Sequence, residues 1–372
     1  MKKYFLLCLL LVVSLFSLAQ KPDEFDIYIN KLLKDDSIPG ATFLIVKNGK
    51  ALKSKAYGYS NLDHMVPAKT ETVYELASVS KPITAAGIML LMEEGKIFPD
   101  SSIALYLDGV PDNYKGVTIR RLMNHTSGIP SDHFVYTKLS GLSPLRYTVK
   151  DQLGDLFKLK PEAKPGEKFI YSNAGFFLQG AIIEKVSGMS YQQFIRTRIF
   201  DKAGMKNSRT LHADSIIKNK AQVYTKRKNQ VVRFSLETAL QSLDANGFGG
   251  LMSTTGDLAA FIDALLKGKI IHLSSLEQML TVSKLNDGTD AGPKGGSRIG
   301  LGWFVREVDG KRCISHSGHT GTVLLYFPEE KLTIVFLSNL SQGISMLGDT
   351  GFPVVDIGFE LAAMALKKYG GR

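Results

Sequence analysis

The sequence predicts a mixed α/β fold of the α+β type, with one sheet assembled from both ends of the chain and a mostly helical region inserted between them. Three observations carry this expectation. Strand-like runs fall in the first part of the chain (about 20–95) and return in the last (about 277–372). The stretch between them, about 96–276, reads mainly as amphipathic or buried helices. The two earliest strands are joined by Asn48-Gly49, a dipeptide that accepts the positive φ angles of a tight hairpin turn.

Taken in order, Glu24–Lys34 predicts an amphipathic helix, with Phe25, Tyr28, Ile29, Leu32 and Leu33 on one side. Ala41–Lys47 and Ala51–Tyr57 are the hairpin strands. Lys81–Glu94 is apolar enough for a buried helix and is closed by Gly95. Thr118–Asn124, Phe176–Val186, Tyr191–Phe200 and Gly256–Leu266 are helical in pattern, and the Gly- and Pro-bearing stretch Asn286–Ser297 is a surface loop. Strands follow at Gly302–Val308, Arg312–Ser315, Thr322–Phe327 and Leu332–Ser338, then a last helix over Val355–Lys368.

Composition narrows the class of protein. The 372 residues are 44% hydrophobic and 22% charged, which excludes a disordered, collagen-like or coiled-coil chain. The net charge of +11 comes from basic residues spread along the chain, with no run of five or six like charges, and reads as a solvated basic surface, not a nucleic-acid or membrane-surface footprint. Lys2 and Lys3 precede an apolar stretch from Tyr4 to Leu18, and Ser17-Leu18-Ala19 has the small-x-small form of a cleavage site. Residues 1–19 are therefore expected to be a secretory signal peptide ahead of one domain over 20–372, placing the protein in the periplasm or outside the cell. Cys8 lies inside the apolar stretch, so the processed chain would keep only Cys313 and could form no internal disulfide. No later stretch is apolar over the ~18 residues a membrane span needs.

Several chemistries lack their motifs. No serine has glycine at both −2 and +2, so the nucleophile elbow is missing, and neither a Gly-x-Gly-x-x-Gly nor a Walker loop occurs. The seven histidines form no His-Glu-x-x-His pair; His316 and His319 are separated by Ser317-Gly318, which favours strand or turn over a ligand-bearing helix. What remains is Ser78-Val79-Ser80-Lys81 ahead of the apolar helix. Residues three apart lie on one helical face. Lys81 would therefore stand beside the Ser78 hydroxyl, a weak nucleophile until a neighbour takes its proton. A desolvated lysine can take it, and a helix N-terminus favours developing negative charge. Locally, Ser78 is equally a helix-capping serine with a solvated lysine, and Ser-x-x-Lys occurs again at Ser215–Lys218 in a polar stretch.

Two further segments carry polar groups suited to such a site. Tyr171-Ser172-Asn173 offers a phenol for acid–base work near a cationic lysine, and an amide able to bond both lysine and substrate. Tyr171 could equally be an ordinary buried tyrosine. His316-Ser317-Gly318-His319-Thr320-Gly321 lies between strand-like runs, where glycine lets a substrate approach an edge strand and its N–H groups; a tight turn with a hydrogen-bonded histidine fits as well.

In this order the three elements resemble the serine β-lactamase and penicillin-binding-protein superfamily, in particular its class C-like branch with D,D-peptidase, D-aminopeptidase and esterase members. That branch runs Ser-x-x-Lys, Tyr-x-Asn and Lys/His-x-Gly, matched here at Ser78, Tyr171 and His316. Lesser signatures are similar too: Leu122–Gly128, Gly249–Thr254 with Asp257-Leu258, and Gly300-Leu301-Gly302-Trp303. The resemblance covers about Glu24 to Lys368. It implies a mostly antiparallel sheet flanked by helices, in the β-lactamase/transpeptidase manner, and an acyl-enzyme serine hydrolase needing no cofactor or metal. It also implies roles: Ser78 as nucleophile, Lys81 and Tyr171 as proton-handling pair, Asn173, His316 and Gly318 as substrate-binding residues, and the backbone N–H groups of Ser78 and His319 as oxyanion hole. His125 and Ser127 read as turn and helix-end structure. Penicillin-recognising members often carry lysine where His316 stands, and Tyr171 replaces the serine of the class A pattern. The implied substrates are thus small molecules or peptides, cell-wall D-amino-acid peptides and esters before β-lactams. The alternatives are a non-hydrolytic binder or sensor that acylates without turnover, and a protein that binds nucleic acid or a surface through its charge.

Overall fold

Two hairpins from opposite ends of the chain meet at the centre of the main sheet. The structure is a computed structural model and describes residues 21–35, 37–130, 148–210, 216–228, 230–234, 247–342 and 354–371. The expected signal peptide, with Cys8, and Ser215 of the second Ser-x-x-Lys lie outside the described residues. Strands β1 (Gly40–Lys47) and β2 (Lys50–Asn61) turn at Asn48 and Gly49, whose φ angles of 52° and 74° are those the sequence anticipates. β1 pairs antiparallel with β13 (Leu332–Ser338), from Ala41 opposite Ser338 to Lys47 opposite Leu332. β3 (Val66–Pro67) adds to β2, while β12 (Thr322–Phe327), β11 (Lys311–Gly318), β10 (Phe304–Val308) and β9 (Arg298–Ile299) continue the sheet beyond β13, giving the order β3-β2-β1-β13-β12-β11-β10-β9. Every ladder in this eight-stranded sheet is antiparallel.

The central strands are apolar on both faces because both are covered. Phe43, Ile45, Ile334 and Phe336 pack with Phe25 and Ile29 of helix α1 (Glu24–Lys34) and with the C-terminal helix over Val354–Tyr369. Leu44, Val335 and Leu337 face a larger helical core. Asp23 and Asp26 form a capping box at the start of α1, which fixes where that helix begins.

Helix α2 (Ser80–Glu93) runs through this larger core and is buried on nearly every side, as an all-apolar helix must be. It packs on α5 (Asn173–Ser187), which also meets α3 (Ile119–Met123) and α4 (Val149–Leu156). The stretch expected to be one helix over Tyr191–Phe200 starts as α6 (Tyr191–Phe194), widens into a π-helical segment over Ile195–Phe200 and ends as α7 (Asp201–Ala203). The widened turn places Ile195, Ile199 and Phe200 all in the core, a tertiary demand with no local signature. α8 (Thr255–Leu266) and α9 (Leu273–Leu280) follow, and α10 is the C-terminal helix. The short α4 and α9 have no counterpart in the sequence pattern. The region between residues 96 and 276 also contains β5 (Arg209–Thr210), the hairpin β6–β7 (Tyr224–Arg227, Gln230–Arg233) and β8 (Leu251–Ser253). β8 joins β5 to β4 (Tyr74–Glu75), the strand leading into Ser78.

Candidate active site

Ser78 sits in a single 3-10 turn, Ala77–Val79, between β4 and α2. The residue before it, Ala77, has a φ of 45°, a left-handed conformation that costs about 1–3 kcal/mol for a residue with a Cβ and is held only by its surroundings. The cap position of α2 is Val79 and no side chain caps it, so the Ser78 hydroxyl is not a helix cap. It is half-buried and lies 2.9 Å from Lys81 Nζ, one turn along.

Lys81 is completely buried. Its Nζ donates to Asn173 Oδ1 at 2.8 Å and to the Phe248 carbonyl at 2.7 Å, and stands 4.9 Å from the centre of the Tyr171 ring. Phe176 and Phe248 supply further aromatic faces at 5.7 and 5.8 Å. Asn173 is the first residue of α5, and Ser172 caps that helix by accepting from the Gly175 N–H. Ser78 and Lys81 thus form one cluster with Tyr171 and Asn173 from a distant stretch of sequence, and Ser78, Tyr171 and Asn173 all keep some surface open to solvent.

The Phe248 carbonyl belongs to the site and carries no side-chain signal in the sequence; only the glycines beside it hint that backbone comes close. Three bonds hold this strand-entry segment against α2. Thr84 Oγ1 donates to the Gly247 carbonyl (2.7 Å), Lys81 to that of Phe248, and the Leu251 N–H donates to Ser80 Oγ (3.1 Å). A Cβ on Gly247 would collide with the Phe176 carbonyl.

The third sequence element arrives on β11. That strand is interior, not an edge, but its pairing with β10 stops at Ser315 opposite Phe304, so His316, Ser317 and Gly318 pair only with β12. The turn beyond is lashed to the segment ahead of Ser78: Thr320 Oγ1 donates to the Glu75 carbonyl at 2.5 Å and Thr322 Oγ1 to that of Leu76 at 2.8 Å. Gly318 passes so close to the Leu76 carbonyl that a Cβ would overlap it, which is why glycine stands there. His319, the next residue, is half-buried.

His316 is buried, with Nδ1 2.9 Å from the Ser317 carbonyl; the proton therefore sits on Nδ1, leaving Nε2 as an acceptor. Burial, then the charge of Lys81, push its pKa down to about 3, so it is neutral at ordinary pH. His125, read from sequence as turn structure, lies directly beneath Tyr171 with rings 4.4 Å apart, and its Nδ1 accepts from the Ser172 N–H. Phe304 stacks on Tyr171 at 6.4 Å and tilts against His316 at 5.3 Å. Among the described residues no group of three His, Cys, Asp or Glu side chains could hold a metal ion. Cys313 is buried on β11 facing away from this cluster, with its thiol pushed up to about 12 by burial.

The β-lactamase family model matches residues 25–350, which spans the sheet, the helical region and every member of the cluster. The chain belongs to the β-lactamase family. Among its relatives, penicillin-binding protein 4* of Bacillus subtilis (strain 168) is 33% identical over 81% of this chain and 68% of its own length. The chain spans about two thirds of the length of the curated relatives it matches. Among solved structures, an octameric penicillin-binding protein homologue from Pyrococcus abyssi superposes with a TM-score of 0.78 at 27% identity, covering 92% of this chain and 77% of that one. The D-amino acid amidase of Ochrobactrum anthropi SV3 has the same fold, with a TM-score of 0.76 at 22% identity over 93% of this chain and all of its own. Within the serine β-lactamase and penicillin-binding-protein superfamily, this β-lactamase-family chain is in general terms of serine-hydrolase type.

Proposed function

We propose that this protein hydrolyses small amide or ester substrates through an acyl-enzyme on Ser78, with D-amino-acid peptides and esters as preferred classes. The bonding of Lys81 carries the reading. Asn173 Oδ1 and the Phe248 carbonyl, both within hydrogen-bond distance of its Nζ, can only accept hydrogen bonds. A neutral amine would donate to both with its two N–H groups and could turn its lone pair toward the Ser78 hydroxyl, 2.9 Å away. In that state Ser78 Oγ attacks the substrate carbonyl carbon while its proton passes to Lys81 Nζ. The N–H groups of Ser78 and His319 would hold the oxygen that gains the charge, a reading supported by the close approach of Gly318, just before His319, to the Leu76 carbonyl two residues before Ser78. Collapse breaks the bond to the leaving group, which takes a proton from the Lys81–Tyr171 pair. Water then attacks the acyl ester, giving a proton to the pair; the ester C–O bond breaks, the pair passes that proton to Ser78 Oγ, and the acid product leaves. Asn173 and the strand at His316 and Gly318 orient the substrate.

His316 supports the substrate preference. Held neutral by burial, it gives a substrate carboxylate no permanent cation at this position, unlike a lysine, which favours esters and amides over β-lactams and over peptides that end in a free carboxylate beside the scissile bond. Export behind a signal peptide at 1–19, with a single hydrolase domain over 20–372, fits the likeness to a penicillin-binding protein and is part of the same proposal.

The test is a panel on purified protein: short-chain nitrophenyl esters, a D-Ala-D-Ala peptide and a chromogenic cephalosporin, each repeated with Ser78→Ala. Turnover of the esters faster than that of the D-Ala-D-Ala peptide, poor turnover of the cephalosporin and loss of all activity in the variant are expected. Rapid cephalosporin turnover would overturn the substrate preference, and unchanged turnover in Ser78→Ala would remove the mechanism. A long-lived acyl adduct by mass spectrometry, with no turnover, would instead make the protein a binder or sensor.

A further inference from the structure

We infer that His125 is a positioning residue for Tyr171, acting as a neutral imidazole that both carries the phenol ring and anchors the backbone on either side of it. The inference rests on the acid–base role proposed above for Tyr171. Three contacts converge on this residue. The His125 carbonyl accepts from the Ile170 N–H at 2.8 Å, and its Nδ1 accepts from the Ser172 N–H at 3.0 Å. The residues immediately before and after Tyr171 are thereby tied to one residue, while its ring supports the phenol at 4.4 Å with planes 28° apart. Phe176 and Phe169 wedge the imidazole from other sides, at 5.1 and 5.9 Å.

The chemistry selects histidine. An acceptor at Nδ1 requires the ring proton on Nε2, and a second proton would abolish the bond to Ser172. Complete burial, followed by the charge of Lys81, holds the His125 pKa well below its ordinary value and keeps that acceptor in place. The backbone at His125 has φ 57°, a left-handed conformation open to asparagine as well. A residue needed only for the turn could therefore be asparagine. What asparagine lacks is the flat ring beneath Tyr171.

That difference supplies the test. His125→Ala removes ring and acceptor, whereas His125→Asn restores an acceptor and suits the backbone. Each is made alone and together with Tyr171→Phe, and followed by nitrophenyl-ester turnover and by the rate at which a fluorophosphonate probe labels Ser78. Expected is a fall in kcat of about tenfold or more in His125→Ala with little change in KM, and partial recovery in His125→Asn. Expected also is that neither His125 variant slows the protein further once Tyr171 is phenylalanine. Should His125→Asn slow the Tyr171→Phe protein by the same factor as the wild type, the residue acts independently of Tyr171 and the inference is overturned. If His125→Ala fails to fold, the His125→Asn pair alone decides between these outcomes. If Tyr171→Phe itself leaves turnover and labelling at wild-type rates, the proposed acid–base role of Tyr171 fails first, and this inference with it.

Discussion

Replacing Gly318 by alanine tests whether the strand end must touch the segment ahead of Ser78. A Cβ on Gly318 would overlap the Leu76 carbonyl oxygen and Thr322 Oγ1. The first is backbone, and the second is itself bound to the same carbonyl at 2.8 Å, so neither yields easily. An ordinary van der Waals separation is reached only if the strand end retreats by about 1 Å. If the His319 N–H has the oxyanion-binding role proposed for it, that retreat displaces it, and a misplacement of about 1 Å costs roughly 100-fold in rate, or ~2.7 kcal/mol of transition-state stabilisation. The same overlap destabilises the fold by about 1–3 kcal/mol, as overpacking does. Gly318→Ala is therefore expected to lower kcat for a nitrophenyl ester about 100-fold while the protein still unfolds cooperatively below the wild-type Tm. Turnover within threefold of wild type would refute the placement of the oxyanion-binding groups, whatever the Tm.

Three other outcomes follow from the same geometry. His125 and His316 are neutral in the folded protein but take up protons near pH 6.5 when unfolded, so stability is full above about pH 6.5 and falls as the pH drops, for His316 until about 3. Each contributes a slope of up to ~1.4 kcal/mol per pH unit, opposed by Glu75, whose pKa burial raises; urea unfolding between pH 7 and 5 should show a shallower slope in His316→Gln, and an unchanged slope would contradict the assignment. Tyr191 donates to Thr84 Oγ1 at 2.6 Å while Thr84 donates to Gly247, so Tyr191→Phe should cost about 1 kcal/mol and Thr84→Ala, which strands two buried groups, more; calorimetry finding the reverse order would show the chain of donors is otherwise. Asn173→Ala removes one acceptor from Lys81 and is expected to lower ester kcat about tenfold or more with the Tm little changed, so wild-type kcat in that variant would count against the lone-pair argument.

What the sequence determined by itself is local. The Asn48-Gly49 hairpin, the amphipathic helix α1, the apolar helix α2 and the one-turn spacing of Ser78 and Lys81 follow from turn chemistry, periodicity and helical pitch, which a short window contains. The ordered motifs at Ser78, Tyr171 and His316 also carry the family resemblance within the sequence itself. Tertiary structure decided what depends on partners from elsewhere. It places Ser78 in a 3-10 turn behind a strained Ala77, where local sequence equally allowed a helix cap. It makes β11 an interior strand whose last residues leave the β10 ladder, where sequence read an edge. It widens the helix at Ile195–Phe200 and folds the two-turn helices α4 and α9, too short for periodicity to announce. Most of all, it supplies the Phe248 carbonyl to Lys81 and the His125 ring to Tyr171. A backbone oxygen looks the same at every position of a sequence, and a stacked ring has meaning only once its partner's address in space is known.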